Sequence, residues 1–267
     1  MKKLTIVAVA FAAIVFAACG GKKSANNAEE ADSLKSFEQQ QIEASIKMHM
    51  DSIASEISKM KQPTFIQEDN GGLSLTKEEK QVKPDYLLPA NVAEEAATLA
   101  EKYRILSALG VDKRIAKLYD MPTDEYEKSI AKLIADINDP SFKNLENQSD
   151  VFETTGKLYE QMEKNGRINY FWQLASAALV EELYIANKNA DKFLSVFDDE
   201  AASNITFRVI LVIDAINRLS EYDPDIKPIA DAIAPLEVLN ATTVDELKKQ
   251  LNEAKDGIDA ARAALVK

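Results

Sequence analysis

Val244, Leu247, Leu251, Ala254, Ile258, Ala261 and Leu265 follow one another in alternating steps of three and four residues. That spacing puts all seven on one face of an α-helix. The helix opens at Thr243-Val244-Asp245-Glu246, where the threonine hydroxyl and the glutamate carboxylate can each satisfy a free backbone donor. A second stripe, Ile46, Met50, Ile53, Ile57 and Met60, repeats the pattern in an N-terminal helix predicted over residues 33–61. The two stripes are candidates to pack on each other.

Between them the pattern is less even. Gln62-Pro63 ends the first helix, and residues 62–89 hold Gly71-Gly72, Pro84 and a run of charge from Lys77 to Lys83. This stretch reads as a loop or linker. Residues 90–267 then form the expected helical bundle domain. Asn91 is a cap for a helix ending at Gly110, Asp112 opens a shorter segment, and Thr123 caps a helix with Tyr126, Ile130, Leu133 and Ile137 inward. Further helices are predicted from Ser149 or Asp150 to Lys164, from Arg167 to Lys188, and from Glu200 to Tyr222. A turn lies near Phe193 to Phe197, and a segment broken by Pro224 and Pro228 ends near Leu239. No signature recurs at the period of about 34 residues that marks stacked helix pairs. The expected fold is all-α, an antiparallel helical bundle of about seven to nine helices.

Composition agrees with helices: 46% of the 267 residues are apolar, with eight glycines and eight prolines. It also sets the N-terminus apart. Lys2 and Lys3 precede a short apolar run from Leu4 to Phe16, and small residues lead to Cys19, the single cysteine. The run is short for a membrane span and fits a cleaved signal of residues 1–18. Cys19 at the start of the polar tether 19–32 resembles the lipobox of bacterial lipoproteins. That resemblance implies lipidation at Cys19, cleavage before it, and anchoring of the chain to a membrane by acyl chains such as palmitate. Two or more such chains hold stably, since each buried CH₂ contributes about 0.8 kcal/mol.

Loss of residues 1–18 removes two lysines and moves the formal charge from −12 to −14. So acidic a chain, with no cluster of Lys or Arg, is not expected to bind nucleic acid. No catalytic or metal constellation is visible either. His49 is the only histidine, which excludes a two-histidine metal site within one chain. A G-x-S-x-G elbow and a phosphate loop are both missing. The acidic pairs Asp198-Asp199 and Asp223/Asp225 lack the spacing of a calcium loop and read as solvated helix ends. No cofactor is expected, and the protein does not read as an enzyme.

The polar residues worth weighing lie on the most apolar long stretch after the signal, FWQLASAALVEELYIANKN, residues 171–189. On a wheel of about 100° per residue from Ile168, Trp172, Ala175, Leu179, Leu183 and Ala186 share one face. Glu181 falls near 220°, beside Lys188, and is expected in solvent. Glu182 falls near 320°, between Phe171, Ala175, Ala178 and Ala186, and is expected to be buried with a partner. Arg208, alone on an apolar turn of the next long helix, is the first choice. Asp214 and Arg218 lie four apart and are expected to pair locally. Glu182, Trp172, Arg208 and Asp214 are therefore the candidate polar or ligand-contacting residues. The two readings of Glu182 are a structural ion pair and a ligand-binding carboxylate.

The aromatic start, small residues and V-E-x-L-Y-x-A run of this stretch resemble a group of uncharacterised all-helical lipoproteins of Bacteroidetes. The likeness covers residues 150–240 and includes the long apolar helix and proline-broken segment that follow. Ala175 and Ala178 stand where glycine or tryptophan is expected. The resemblance implies a location and a fold, but no activity. In such bacteria, acidic residues soon after the lipidated cysteine favour export to the cell surface. Gly20-Gly21-Lys22-Lys23 here point instead to the periplasmic face of the outer membrane. The expected function is a non-enzymatic helical domain for protein interaction or a structural role in the envelope. The alternative is a small-ligand binder with a pocket near Trp172 and Glu182.

Overall fold

A helix that is buried around its whole circumference must be covered on every side. Ile168–Lys188 is such a helix: from Phe171 to Ala186 every side chain is buried except Ala175 and Tyr184, which are partly so. The computed structural model describes residues 44–60, 73–142 and 155–266, and this helix is at their centre. In chain order the helices are α1 (residues 44–59), α2 (Lys77–Gln81), α3 (Leu99–Leu118), α4 (Asp124–Ile137), α5 (Thr155–Lys164) and α6 (Ile168–Lys188). There follow α7 (Ala190–Phe193), α8 (Asp199–Ser220), α9 (Lys227–Ile233), α10 (Val244–Glu253) and α11 (Lys255–Leu265). Short 3-10 turns, among them Ala90–Glu94 and Ala234–Val238, join several of them. The fold is an all-α bundle, with no strand among the described residues. Among the described residues there are eleven helical segments, above the seven to nine expected, because α2 and α7 are single short turns and one predicted helix is divided.

α3 lies along α6 and forms its most extensive interface, while α11, α8, α5 and α10 cover the remaining sides. Leu183 and Ala186 of α6 are fully buried, as are Ile105 and Leu109 of α3, Val209 and Ile216 of α8, and Ile258 and Leu265 of α11. Each Leu, Ile or Val buried in this way contributes about 1.5–3 kcal/mol. α1 joins the same core through Met50, Ile53 and Ile57, as its stripe predicts.

Several boundaries differ from the sequence expectation, each for a local reason. α3 does not stop at Gly110 but runs through it to Leu118. Leu109, Val111 and Ile115 are buried on both sides of the glycine, and their packing outweighs a propensity penalty of about 1 kcal/mol. Its start moves from Asn91 to Leu99 because Thr98 and Glu101 form a capping box. The Thr98 hydroxyl accepts from Glu101 N–H at 3.2 Å, and the Glu101 carboxylate accepts from Thr98 N–H at 2.8 Å. The stretch 62–89 is not simply a linker. Within its described part, 73–89, Thr76 and Glu79 cap the short helix α2, and Leu73 and Leu88 are buried. Described residues from Ser45 onward belong to one packed unit, so no domain boundary falls there.

The last predicted helix keeps its stripe but breaks at Ala254 into α10 and α11. Leu247, Leu251, Ala254, Ile258, Ala261 and Leu265 all remain buried. α10 faces α8, while α11 faces α6 and α9. Gly257 lets α11 approach the Ala234–Val238 turn closely, since a Cβ there would stand 3.3 Å from Cβ of Pro235. The signal 1–18, Cys19, the tether 19–32, the start of the helix at 33 and the helix start at Ser149 or Asp150 lie outside the described residues. Among those described, no helix is long and apolar enough to cross a membrane.

Candidate functional site

α6 carries two adjacent carboxylates, and the fold treats each separately because neighbouring helical residues point about 100° apart. Glu182 faces α3 and α8. Its Oε2 accepts from Arg208 Nη2, and its Oε1 lies 3.5 Å from Arg114 Nη2. Glu182 as a residue is 6% exposed. Arg208 is the partner expected from its isolated place on an apolar turn. Nε of Arg208 is buried without an acceptor, so Glu182 is the acceptor that secures this guanidinium.

Glu181 overturns the expectation of a solvated side chain: it is 0% exposed. A wheel drawn around a single apolar face assigns its direction to solvent, but α11 covers that side. Arg262 of α11 closes on it as a two-pronged fork, with Nε at 3.0 and 2.8 Å from the two oxygens and Nη2 at 2.7 Å from Oε1. Nη2 also donates to the Tyr86 carbonyl at 3.1 Å, and the guanidinium lies 3.8 Å from the centre of the Tyr184 ring. Burial alone would lower the Arg262 pKa, but the bonds and charge of Glu181 more than reverse this and hold it above the ordinary value.

A third acidic group adjoins this pair. Asp112 of α3 is 0% exposed, and its carboxyl lies against that of Glu181. Oδ2 accepts from Leu88 N–H at 2.8 Å, whereas Oδ1 has no donor. The Leu88 carbonyl in turn accepts from the Tyr126 hydroxyl at 2.7 Å. Burial first, and then the charge of Glu181, raise the Asp112 pKa well above the ordinary carboxylate range. Burial likewise raises Glu181, while Arg262 pulls it back. The same surroundings push Tyr126 up to about 12, burial first and then the charges of Asp112 and Glu181.

Sequence reasoning misses Asp112, Arg262 and Tyr86. A signal was available for the first two. Asp112 follows Leu106, Leu109 and Val111 and precedes Ile115, an acid on a mostly apolar turn. Arg262 is the lone cation among the alanines of ARAAL.

Trp172 is fully buried in an aromatic nest, with Phe171 at 5.2 Å and Tyr159 at 6.2 Å between ring centres. Asp214 is not a buried candidate. Its side chain is 42% exposed and pairs with His49 at 2.7 Å and, more loosely, with Arg218 at 3.7 Å. The polar stripe of α8 that carries it meets the edge of α1 near solvent, away from Glu182. The structure thus joins Glu182 with Arg208 but does not bring Asp214 to them. A surface hollow of about 360 Å³ lies elsewhere, lined by Asn187, Ala190, Asp245, Lys248, Leu251 and Asn252 among others.

If Glu182 is an interface carboxylate, Glu182→Gln should lower the unfolding free energy by about 1–3 kcal/mol, because the Arg208 guanidinium loses the counter-charge that secures it. Urea titration of the variant, with Arg208→Met and the double variant completing a cycle, measures the coupling. A carboxylate serving a ligand instead gives near-normal stability and loss of ligand uptake. No protein-family model matches this chain, and neither a curated protein nor a solved structure does.

Proposed function

We propose that this chain is a lipid-anchored envelope protein whose helical domain serves protein interaction or a structural role and carries no catalytic activity. The observation that carries the location is the N-terminal sequence: two lysines, a short apolar run and a single cysteine at the head of a polar tether. Its likeness to a lipobox, and the likeness of residues 150–240 to helical lipoproteins of Bacteroidetes, support the same place. Gly20-Gly21-Lys22-Lys23 after the cysteine favour the periplasmic face of the outer membrane.

The geometry of the buried charges supports the non-enzymatic part of the reading. Glu181 and Glu182 are each engaged by a guanidinium from another helix, so these carboxylates act as clamps between helices. A net charge of −14 after loss of residues 1–18 argues against attraction to anionic head groups, which leaves acyl chains as the means of attachment.

The anchoring is tested by Cys19→Ala. The parent protein, acylated at Cys19, should sediment with membranes and partition into detergent, and the variant should lose both properties. A variant that remains with membranes sinks the proposal. Interaction is tested by pull-down from solubilised envelopes with the acylated protein as bait.

A further inference from the structure

We propose that Asp112 and Glu181 together form a buried binding site for one proton, carried on Oδ1 of Asp112 and shared with Glu181. The proposal rests on what surrounds the two groups. Both are wholly buried, and their carboxyls lie against each other. Both oxygens of Glu181 already accept from Arg262. Oδ2 of Asp112 accepts from Leu88 N–H, so Oδ1 is the one oxygen of the two carboxyls without a partner and the one free to meet Glu181. Two acceptors in contact repel each other, whereas a proton on Oδ1 turns the contact into a hydrogen bond. It also supplies the only donor that the orphaned atom can acquire without water.

Charge leads to the same assignment. The titratable groups that face Asp112 are Glu181 from α6, Arg262 from α11, Tyr126 from α4 and Tyr86 from the segment before the first 3-10 turn, while Tyr184 of α6 lies against Arg262. Tyr119 and Asp85 stand behind Tyr86. Arg262 is the cation among them. One guanidinium balances one carboxylate, so a second ionised carboxyl would leave an uncompensated charge where the dielectric is low. A metal ion fits poorly. Among the described residues no group of three His, Cys, Asp or Glu side chains is placed to hold one, and Arg262 would repel it.

The sign of the pH effect follows. Burial and the charge of Glu181 raise the Asp112 pKa in the folded chain, so the fold binds this proton more tightly than the unfolded chain does. The stabilising contribution is complete below the unfolded value, about 3.9. It is lost progressively as pH rises through the folded value.

Asp112→Asn separates the possibilities in the full-length protein. The amide oxygen can accept from Leu88 N–H, and the amide NH₂ can donate to Glu181 in place of the proton. The variant should fold at least as well as the parent at neutral pH. Between about pH 5 and the folded pKa, the parent's unfolding constant should rise relative to the variant's by as much as about tenfold per pH unit. Identical pH profiles for the two proteins would overturn the proposal. Should the variant fail to fold, the side-chain carboxyl carbon of Asp112 in the unmodified protein decides by NMR. A protonated carboxyl at pH 6 supports the site, and an ionised one refutes it.

Discussion

Full-length protein carrying Arg262→Met is expected to lose about 3–5 kcal/mol of unfolding free energy, the range for stranding one partner of a buried ion pair. The size follows from the accessibility of Glu181, which is zero. Water cannot replace the guanidinium, and the Asp112 carboxyl beside it adds a second acid rather than a counter-ion. The substitution also removes the donor to the Tyr86 carbonyl and the cation stacked on Tyr184. Urea titration followed by fluorescence measures the loss, since Trp172 is the only tryptophan and is fully buried. The double variant Glu181→Gln/Arg262→Met should recover a large part of it, because the stranded charge is gone. A single-variant loss below about 1 kcal/mol would mean that water reaches Glu181.

Trp172→Ala is the second large effect, a loss of about 3–5 kcal/mol. The indole is enclosed by Tyr159 and Phe171, all three rings meeting edge to face. Truncation leaves a cavity that neighbouring rings cannot fill without leaving their own contacts. Thermal melting followed by far-UV circular dichroism is the suitable measurement, because the fluorescent reporter is the residue removed. A Trp172 that lined an open ligand pocket would give a loss within about 1 kcal/mol, and that result would revive the small-ligand alternative.

The helices are legible because burial on one side repeats every 3.6 residues, and α4, α8 and the divided α10–α11 show that repeat plainly. The pair of Glu182 and Arg208 is legible for a related reason: each is a charge on a turn that is otherwise apolar. Glu181 is not, because a wheel presumes one buried face and α6 has none exposed. The composition of 171–186, twelve apolar residues in sixteen, carries the correct inference, that such a helix is central. The partners of Glu181 are hidden for a different cause. Asp112 precedes it by 69 positions and Arg262 follows it by 81, and no local pattern reports which distant helix will cover a given face. Gly110 misleads because a breaker in isolation yields to packing when its flanking residues are core.

The separation between Glu181 and Arg262 also sets an order of events during synthesis. A chain that emerges N-terminus first presents α6, with its acid at position 181, long before the cation at position 262 has left the exit. Until then one flank of α6 lacks both its cover and its counter-charge, and closing the core early would trap a bare carboxylate. The bundle therefore completes only after α11 arrives. In the meantime the central helix of the bundle stays incompletely covered, which makes the interval before residue 262 emerges the period of greatest exposure to aggregation or proteolysis.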